Sequence, residues 1–411
     1  MKINKHCFPN GLRLVHYEDT STQMVALNIV YDVGARDEHP EHTGFAHLFE
    51  HLMFGGSAHI PDYDTPLQLA GGENNAWTNN DITNYYLTVP KPNVETAFWL
   101  ESDRMLELAF SEQSLEVQRG VVMEEFKQRC LNQPYGDVGH LFRPLAFRVH
   151  PYRWPTIGKE LSHIEQATLD EVKSFFYRFY APNNAVLAVT GNISWDETVK
   201  LTEKWFAPIP RRDVPVRQLP QEPEQTQERR LTVERNVPLD ALFMGYHMCS
   251  REGADYYAFD ILSDILSNGC SSRLNRRLVQ EQNIFSGIDA YISGTRDAGL
   301  LQISGKPAAG VSLEQAEAAV RKELEELQRS PVDGQELEKV KNKFESTQIF
   351  GNINYLNVAT NLAWFELTGK AEDIDLEVER YRSVTTEQLH TVAQRTFCES
   401  NAVVLYYKSD K

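Results

Sequence analysis

Residues 43–56 read Thr-Gly-Phe-Ala-His-Leu-Phe-Glu-His-Leu-Met-Phe-Gly-Gly. The spacing predicts a helix, with Thr43 as N-cap and Gly55-Gly56 as its stop. Phe45, Leu48, Phe49, Leu52 and Met53 recur at i, i+3, i+4, i+7 and i+8, a stripe that belongs in a core. His47, Glu50, His51 and Phe54 form a second stripe. One face of a mostly buried helix therefore carries two imidazoles and a carboxylate within a turn of each other. Burying three such groups without a partner is costly, and a metal ion removes that cost.

Working outward, a strand pattern at Val25 to Tyr31 leads into this helix, and the same order returns later. A strand pattern at Ala241 to Met248 leads into Phe259-Asp260-Ile261-Leu262-Ser263-Asp264-Ile265. Both helices run into glycine-containing turns, Gly55-Gly56 and Gly269. Each half closes on a matching strand, Asn184 to Leu187 and Asn401 to Val404. This is the signature of one domain duplicated. In that alignment Ile261 and Ile265 stand where His47 and His51 stand in the first half. The second half cannot hold the same metal, so it must bind, cover or position.

Between the halves, residues 208–230 hold Pro208, Pro210, Pro215, Pro220 and Pro223 with Gln, Glu and Arg, and little to bury. They form the expected linker between a zinc-bearing domain, 1–207, and a homologous ligand-free domain, 231–411. Within the first half, strands are expected near Asn75 to Thr78 and Thr83 to Val89, split by Asn79-Asn80-Asp81. Helical periodicity covers Asn93 to Phe110 and Ser114 to Cys130.

Bulk properties agree with two soluble domains. The chain has 411 residues, too many for one ordinary core, with 41% hydrophobic and 24% charged residues. It shows no membrane-length apolar run and no leader-like apolar segment at its start. Cys7, Cys130, Cys249, Cys270 and Cys398 are scattered and odd in number, which suits reduced thiols and a cytoplasmic location. A net charge of −17 argues against a nucleic-acid partner.

His-x-x-Glu-His suits tetrahedral zinc bound through two imidazoles, with room for a carboxylate and a water. Glu50, beside the pair, suits a general base: the metal lowers the water's pKa and the carboxylate takes its proton. A third ligand is expected on the helix Ser114 to Cys130, which offers Glu116, Glu124 and Glu125. With Val121 and Val122 marking the buried face, Glu125 falls in mid-stripe and Glu124 is turned away by about 100°. Glu125 is the choice, against a structural ion pair with Arg119. His39, His42 and His59 are expected as loop residues around the pocket.

These residues resemble the pitrilysin family of zinc peptidases, the inverzincins, and its short processing-peptidase-like members in particular. The resemblance rests on His47-Leu48-Phe49-Glu50-His51 followed by Arg119-Gly120-Val121-Val122-Met123-Glu124-Glu125. It extends through Pro9-Asn10-Gly11-Leu12, Asp32 to Glu38, Asn75-Ala76-Trp77-Thr78, and Pro151-Tyr152 with Gly158. It implies an α+β fold of two homologous halves, each an antiparallel sheet with helices packed on one side. It implies a zinc-dependent endopeptidase acting on extended peptides or unfolded segments through a metal-activated water. Zn2+ would be held by His47, His51 and Glu125, with Glu50 as base. Asn75, Ala76, Trp77 and Thr78 would form an edge strand pairing with the substrate backbone. Two positions depart from the family. Gln118 stands where relatives often carry a second glutamate, and Leu278 and Phe285 stand where long members carry a substrate-contacting Arg and Tyr. The resemblance thus points to a dimer, and to a zinc-less paralogue that supplies Arg and Tyr in a heterodimer. The alternative is a non-catalytic assembly subunit of the same family.

Overall fold

The computed structural model describes residues 1–410. The strands are β1 (Ile3–Cys7), β2 (Arg13–Glu18), β3 (Met24–Tyr31), β4 (Glu73–Thr78), β5 (Thr83–Pro90), β6 (Ala185–Gly191), β7 (Arg229–Arg235), β8 (Ala241–Met248), β9 (Phe285–Ile292), β10 (Gly299–Pro307) and β11 (Ala402–Ser409). The helices used below are α1 (Phe45–Leu52), α2 (Val94–Leu106), α3 (Glu112–Phe126), α4 (Val138–Ala146), α5 (Leu169–Phe179), α6 (Tyr256–Ser267), α7 (Leu313–Arg329), α8 (Tyr355–Thr368) and α9 (Thr386–Thr396).

The chain forms two compact units. One comprises Met1–Leu131, Trp154–Leu219 and Ile349–Leu376; the other comprises Asn132–Arg153, Pro220–Gln348 and the chain from Glu377 onward. The first unit is built on a sheet of order β1-β2-β6-β3-β5-β4, and the second on a sheet of order β7-β11-β8-β10-β9. Without β1 the two orders match strand for strand. In each, one pair is parallel, β2 with β6 and β7 with β11, and every other pair is antiparallel. The duplication read from sequence is thus a duplication of topology. Ile261 and Ile265 lie fully buried in the second unit's core, as aliphatic replacements for ligands should.

One expectation needs correction. The units are not the contiguous segments 1–207 and 231–411; each sheet packs helices on one face as expected, and a further helix lies on the other. In the first unit α1, α2, α3 and α5 pack on Leu27, Ile29, Leu87 and Val189. The opposite face, with Val15, Ala26, Val30, Val186 and Ala188, is covered by Val358, Ala359, Leu362 and Ala363 of α8, a helix from the far end of the chain. In the second unit α6, α7 and α9 cover one face, and α4, from the first half of the sequence, covers the other with Phe142 and Ala146. The physical reason lies in the strands. β6 is buried at every residue and β3 at all but Met24, so a sheet covered on one side would leave half its apolar side chains in water. Asn28 on β3 shows that the second face is specific. It exchanges side-chain hydrogen bonds with Asn84 at 2.8 and 2.9 Å and accepts one from Thr360 of α8 at 3.2 Å. A buried amide cluster of this kind is satisfied in one register only.

The proline-rich segment carries no regular structure from 211 to 226 and enters β7 at Arg229. It is tied down rather than loose. Arg212 and Arg217 bond to residues of the first unit, and Glu222 accepts from the successive backbone N–H groups of Arg148, Val149 and His150 in the second.

Candidate metal centre

The ligand-bearing helix begins one residue later than its sequence suggests. Its N-cap is Gly44, at φ 89°, and no side chain of the cap residue bonds the first turn. A Cβ at Gly44 would lie 2.9 Å from the Ile157 carbonyl oxygen, so both conformation and space require glycine. Thr43 serves elsewhere: its hydroxyl meets His163 Nδ1 at 2.9 Å and accepts from the Lys159 amide at 2.7 Å. Farther along, Tyr85 of β5 donates to the Phe49 carbonyl at 3.0 Å, fixing α1 to the sheet.

This anchoring aims three donors at one point. His47 Nε2 lies 3.4 Å and His51 Nε2 3.2 Å from the same oxygen of Glu125, Oε2. The three ligand atoms fall within 4.8 Å of one another, and no other such group of three occurs among the described residues. Burial pushes the His47 imidazole down to about 4, so the ring is neutral and its lone pair available. Its buried Nδ1 has no hydrogen-bond partner among the described residues. The hydrogen bond from His51, opposed by partial burial and aided by His47 and Arg129, holds the Glu125 carboxyl below its usual range. Two imidazoles and one carboxylate are a donor set that fits zinc.

Glu125 sits where the sequence placed it, for a partly different reason. The buried face of α3 is Leu115, Val122 and Phe126, whereas Val121 is 45% exposed. Glu125 continues the half-open stripe Val117-Val121 and so reaches the site from its rim. Arg119 pairs with Glu116 instead, and it is Arg129 that holds Glu125, at 2.9 Å from Oε1. Sequence reading missed Arg129. The signal was its i+4 spacing from Glu125, obscured by the π-helical turn Lys127–Leu131 that carries it.

Glu50 faces the same space. Burial raises its carboxyl, while a hydrogen bond from the Thr78 hydroxyl and the charge of His51 oppose the rise. Thr78 ends β4, the free edge of the sheet. On that edge the Ala76 amide donates to the Asn75 side chain at 2.8 Å. The three loop histidines are engaged elsewhere: His59 with Asp103 at 2.7 Å, His42 with Glu171 at 3.2 Å, and His39 Nδ1 as acceptor from the Glu41 amide at 3.3 Å. Leu278 and Phe285 are fully buried core residues of the second unit, and Gln118 is half-buried on α3.

Comparison with known proteins bears on the family. The family model described as insulinase, peptidase family M16, matches residues 13–137, and that of the peptidase M16 inactive domain matches residues 166–344. The chain belongs to peptidase family M16. The first match contains His47, Glu50, His51 and Glu125, and the inactive-domain match contains Ile261 and Ile265. Among relatives of this M16 chain, a Helicobacter pylori protein named zinc protease PqqE is 26% identical over 405 residues, covering 97% of this chain and 91% of its own. A Bacillus subtilis protein named uncharacterized zinc protease YmxG is 25% identical, covering 98% of both. The crystal structure of a protease from Helicobacter pylori superimposes with a TM-score of 0.93 at 26% identity, over 99% of each chain. A Pseudomonas fluorescens structure described as a peptidase M16 inactive domain shares the fold, with a TM-score of 0.90 at 16% identity over 100% of this chain and 99% of its own. Among the described residues no helix is long and apolar enough to cross a membrane.

Proposed function

We propose that this chain is a zinc-dependent endopeptidase acting on extended peptides or unfolded protein segments. The observation that carries the reading is the convergence of His47 Nε2, His51 Nε2 and Glu125 Oε2, with Glu50 beside them. His47, His51 and Glu125 would hold the ion. A bound zinc ion supplies Lewis acidity, which lowers the pKa of a water and polarises a carbonyl. Glu50 then takes a proton from the attacking water and returns it to the departing amine. Its raised carboxyl brings base and conjugate acid closer in energy, and Thr78 orients it. The free edge of β4 offers main-chain groups to a substrate strand, with Asn75, Ala76, Trp77 and Thr78 in contact with it. A substrate carbonyl would replace the Asn75 side chain as acceptor for the Ala76 amide.

The site lacks a hydrogen-bonding pair at 278 and 285, so we propose that a second chain completes it. That chain is a zinc-less paralogue supplying Arg and Tyr in a heterodimer; a homodimer, the alternative, would lack that pair as well. The test is metal content together with chelator-sensitive cleavage of an unstructured peptide by the purified chain, at several concentrations and with the paralogue added. Cleavage is expected to vanish in Glu50→Gln with zinc retained. Stoichiometric zinc with no cleavage of any peptide pool, alone or paired, would favour an assembly subunit instead. Full activity of the isolated monomer would refute the two-chain site.

A further inference from the structure

The helix that carries His47 and His51 lacks a cap from its own N-cap residue, yet its first turn is not left open. Glu38, six residues before Gly44 and 6% exposed, reaches back to it. Its Oε2 accepts from the Gly44 amide and its Oε1 from the Ala46 amide, both at 2.9 Å. Ala46 directly precedes His47. A buried carboxyl group therefore satisfies two amide donors at the start of α1.

The short segment that carries Glu38 is itself fixed on two sides. Toward the sheet, the amides of Ala35 and Arg36 donate to the carbonyls of Asn79 and Asn80, in the turn between β4 and β5. The approach is close enough that a Cβ on Gly34 would meet the Asn80 carbonyl at 2.6 Å. The Trp154 indole donates to the Ala35 carbonyl at 2.9 Å. From the proline-rich segment, Arg217 donates to Asp37 Oδ1 at 2.5 Å and Oδ2 at 3.2 Å, and to the Asp32 carbonyl at 2.8 Å. Residues 34–38 thus join the turn that ends β4, the start of α1 and Arg217.

We propose that Glu38 is a positioning residue for the candidate metal centre: its carboxyl group sets the entry of α1, and so the placement of His47 and His51 opposite Glu125, while Arg217, through Asp37, holds the segment that carries Glu38. The inference rests on the metallopeptidase reading. It follows from lever geometry. His47 lies within the first turn of α1, so a change in the helix entry moves the His47 and His51 imidazoles relative to Glu125, which is carried by a different helix. A metal site responds to such displacements because its ligand distances must hold within a few tenths of an ångström. Burial pushes the Glu38 carboxyl up to about 8, against the pull of its two amide donors; a glutamine keeps one side-chain acceptor and so part of the cap.

The test is the zinc affinity of the metal-free protein, read by chelator competition well below the melting temperature of each variant, with the cobalt(II) absorption spectrum as a second readout. Glu38→Ala is expected to weaken zinc binding at least about 10-fold, in the range seen for outer-shell partners of metal ligands. Glu38→Gln, with one acceptor left, should weaken it about 3-fold, and Arg217→Gln by a similar factor. A merely structural role would lower the melting temperature and leave affinity and spectrum alone. Affinity within twofold of wild type in folded Glu38→Ala overturns the proposal. If that variant does not fold, wild-type affinity in both Glu38→Gln and Arg217→Gln overturns it. A wild-type chain that binds no zinc overturns the metallopeptidase reading itself, a result distinct from the others.

Discussion

Replacing Leu362 by alanine tests the arrangement on which the site depends. Leu362 lies on α8, far from the zinc motif in sequence, yet it is fully buried against Ala26, Val30, Val186 and Ala188 of the first unit's sheet. The change removes three carbons, about 2.4 kcal/mol at roughly 0.8 kcal/mol per buried carbon. Alanines line part of the surrounding wall and cannot reach into the gap, so a cavity term adds to this and brings the cost to about 3–4 kcal/mol. The assay is native-state hydrogen exchange resolved to peptides. Amides of β3 and β6 that exchange only when the first unit opens should lose protection by roughly 10²-fold, about one decade per 1.4 kcal/mol. Amides of β8 and β11 should be unchanged. Loss of protection in β8 and β11 with β3 and β6 intact would mean that α8 belongs to the C-terminal half, and would refute the reasoning. So would a loss below about 1 kcal/mol, since nothing fully buried in that cluster could be removed so cheaply.

Three further outcomes are expected. Glu125→Ala leaves two imidazoles and should weaken zinc binding by more than about 100-fold, beyond the 10- to 100-fold of an outer-shell loss, as measured by metal content after dialysis against a chelator. Ala76→Pro removes an amide that donates to the Asn75 side chain on the free edge of β4; KM for an extended peptide should rise about 10-fold with kcat much less affected, and an unchanged KM would remove β4 from substrate binding. Burial pushes Glu317 up, but hydrogen bonds from Arg230, Tyr406 and Arg321 outweigh it and hold the carboxyl at about 2. Its folded value lies below its unfolded one, so its contribution is present above about pH 4.5 and is lost as pH falls through 2. Glu317→Gln should therefore destabilise the chain at pH 7 by at most about 3 kcal/mol, less once screening around half-exposed Arg230 is counted, and by nothing near pH 2, as read by urea titration at both pH values.

The sequence by itself determined the residues of the candidate site. His47, Glu50 and His51 were legible because i, i+3 and i+4 spacing places side chains on one helix face whatever the surroundings. The duplication was legible because two strand-and-helix orders repeat, and Ile261 with Ile265 showed which half kept the ligands. Glu125 was legible as a residue but not for the right reason, since periodicity cannot separate a buried stripe from a half-open one such as Val117-Val121-Glu125. The rest depended on partners distant in sequence. Local pattern showed β3 and β6 as apolar strands, but only the tertiary structure decided that α8 covers one unit's sheet and α4 the other's. An apolar helix face carries no record of the surface it will meet. Arg129 and Thr78 became visible only once a π-helical turn and a sheet edge had brought them to Glu125 and Glu50, and Glu38 only once a folded-back segment had brought it to the start of α1, because hydrogen bonds to carboxylates and amides are set by positions in space.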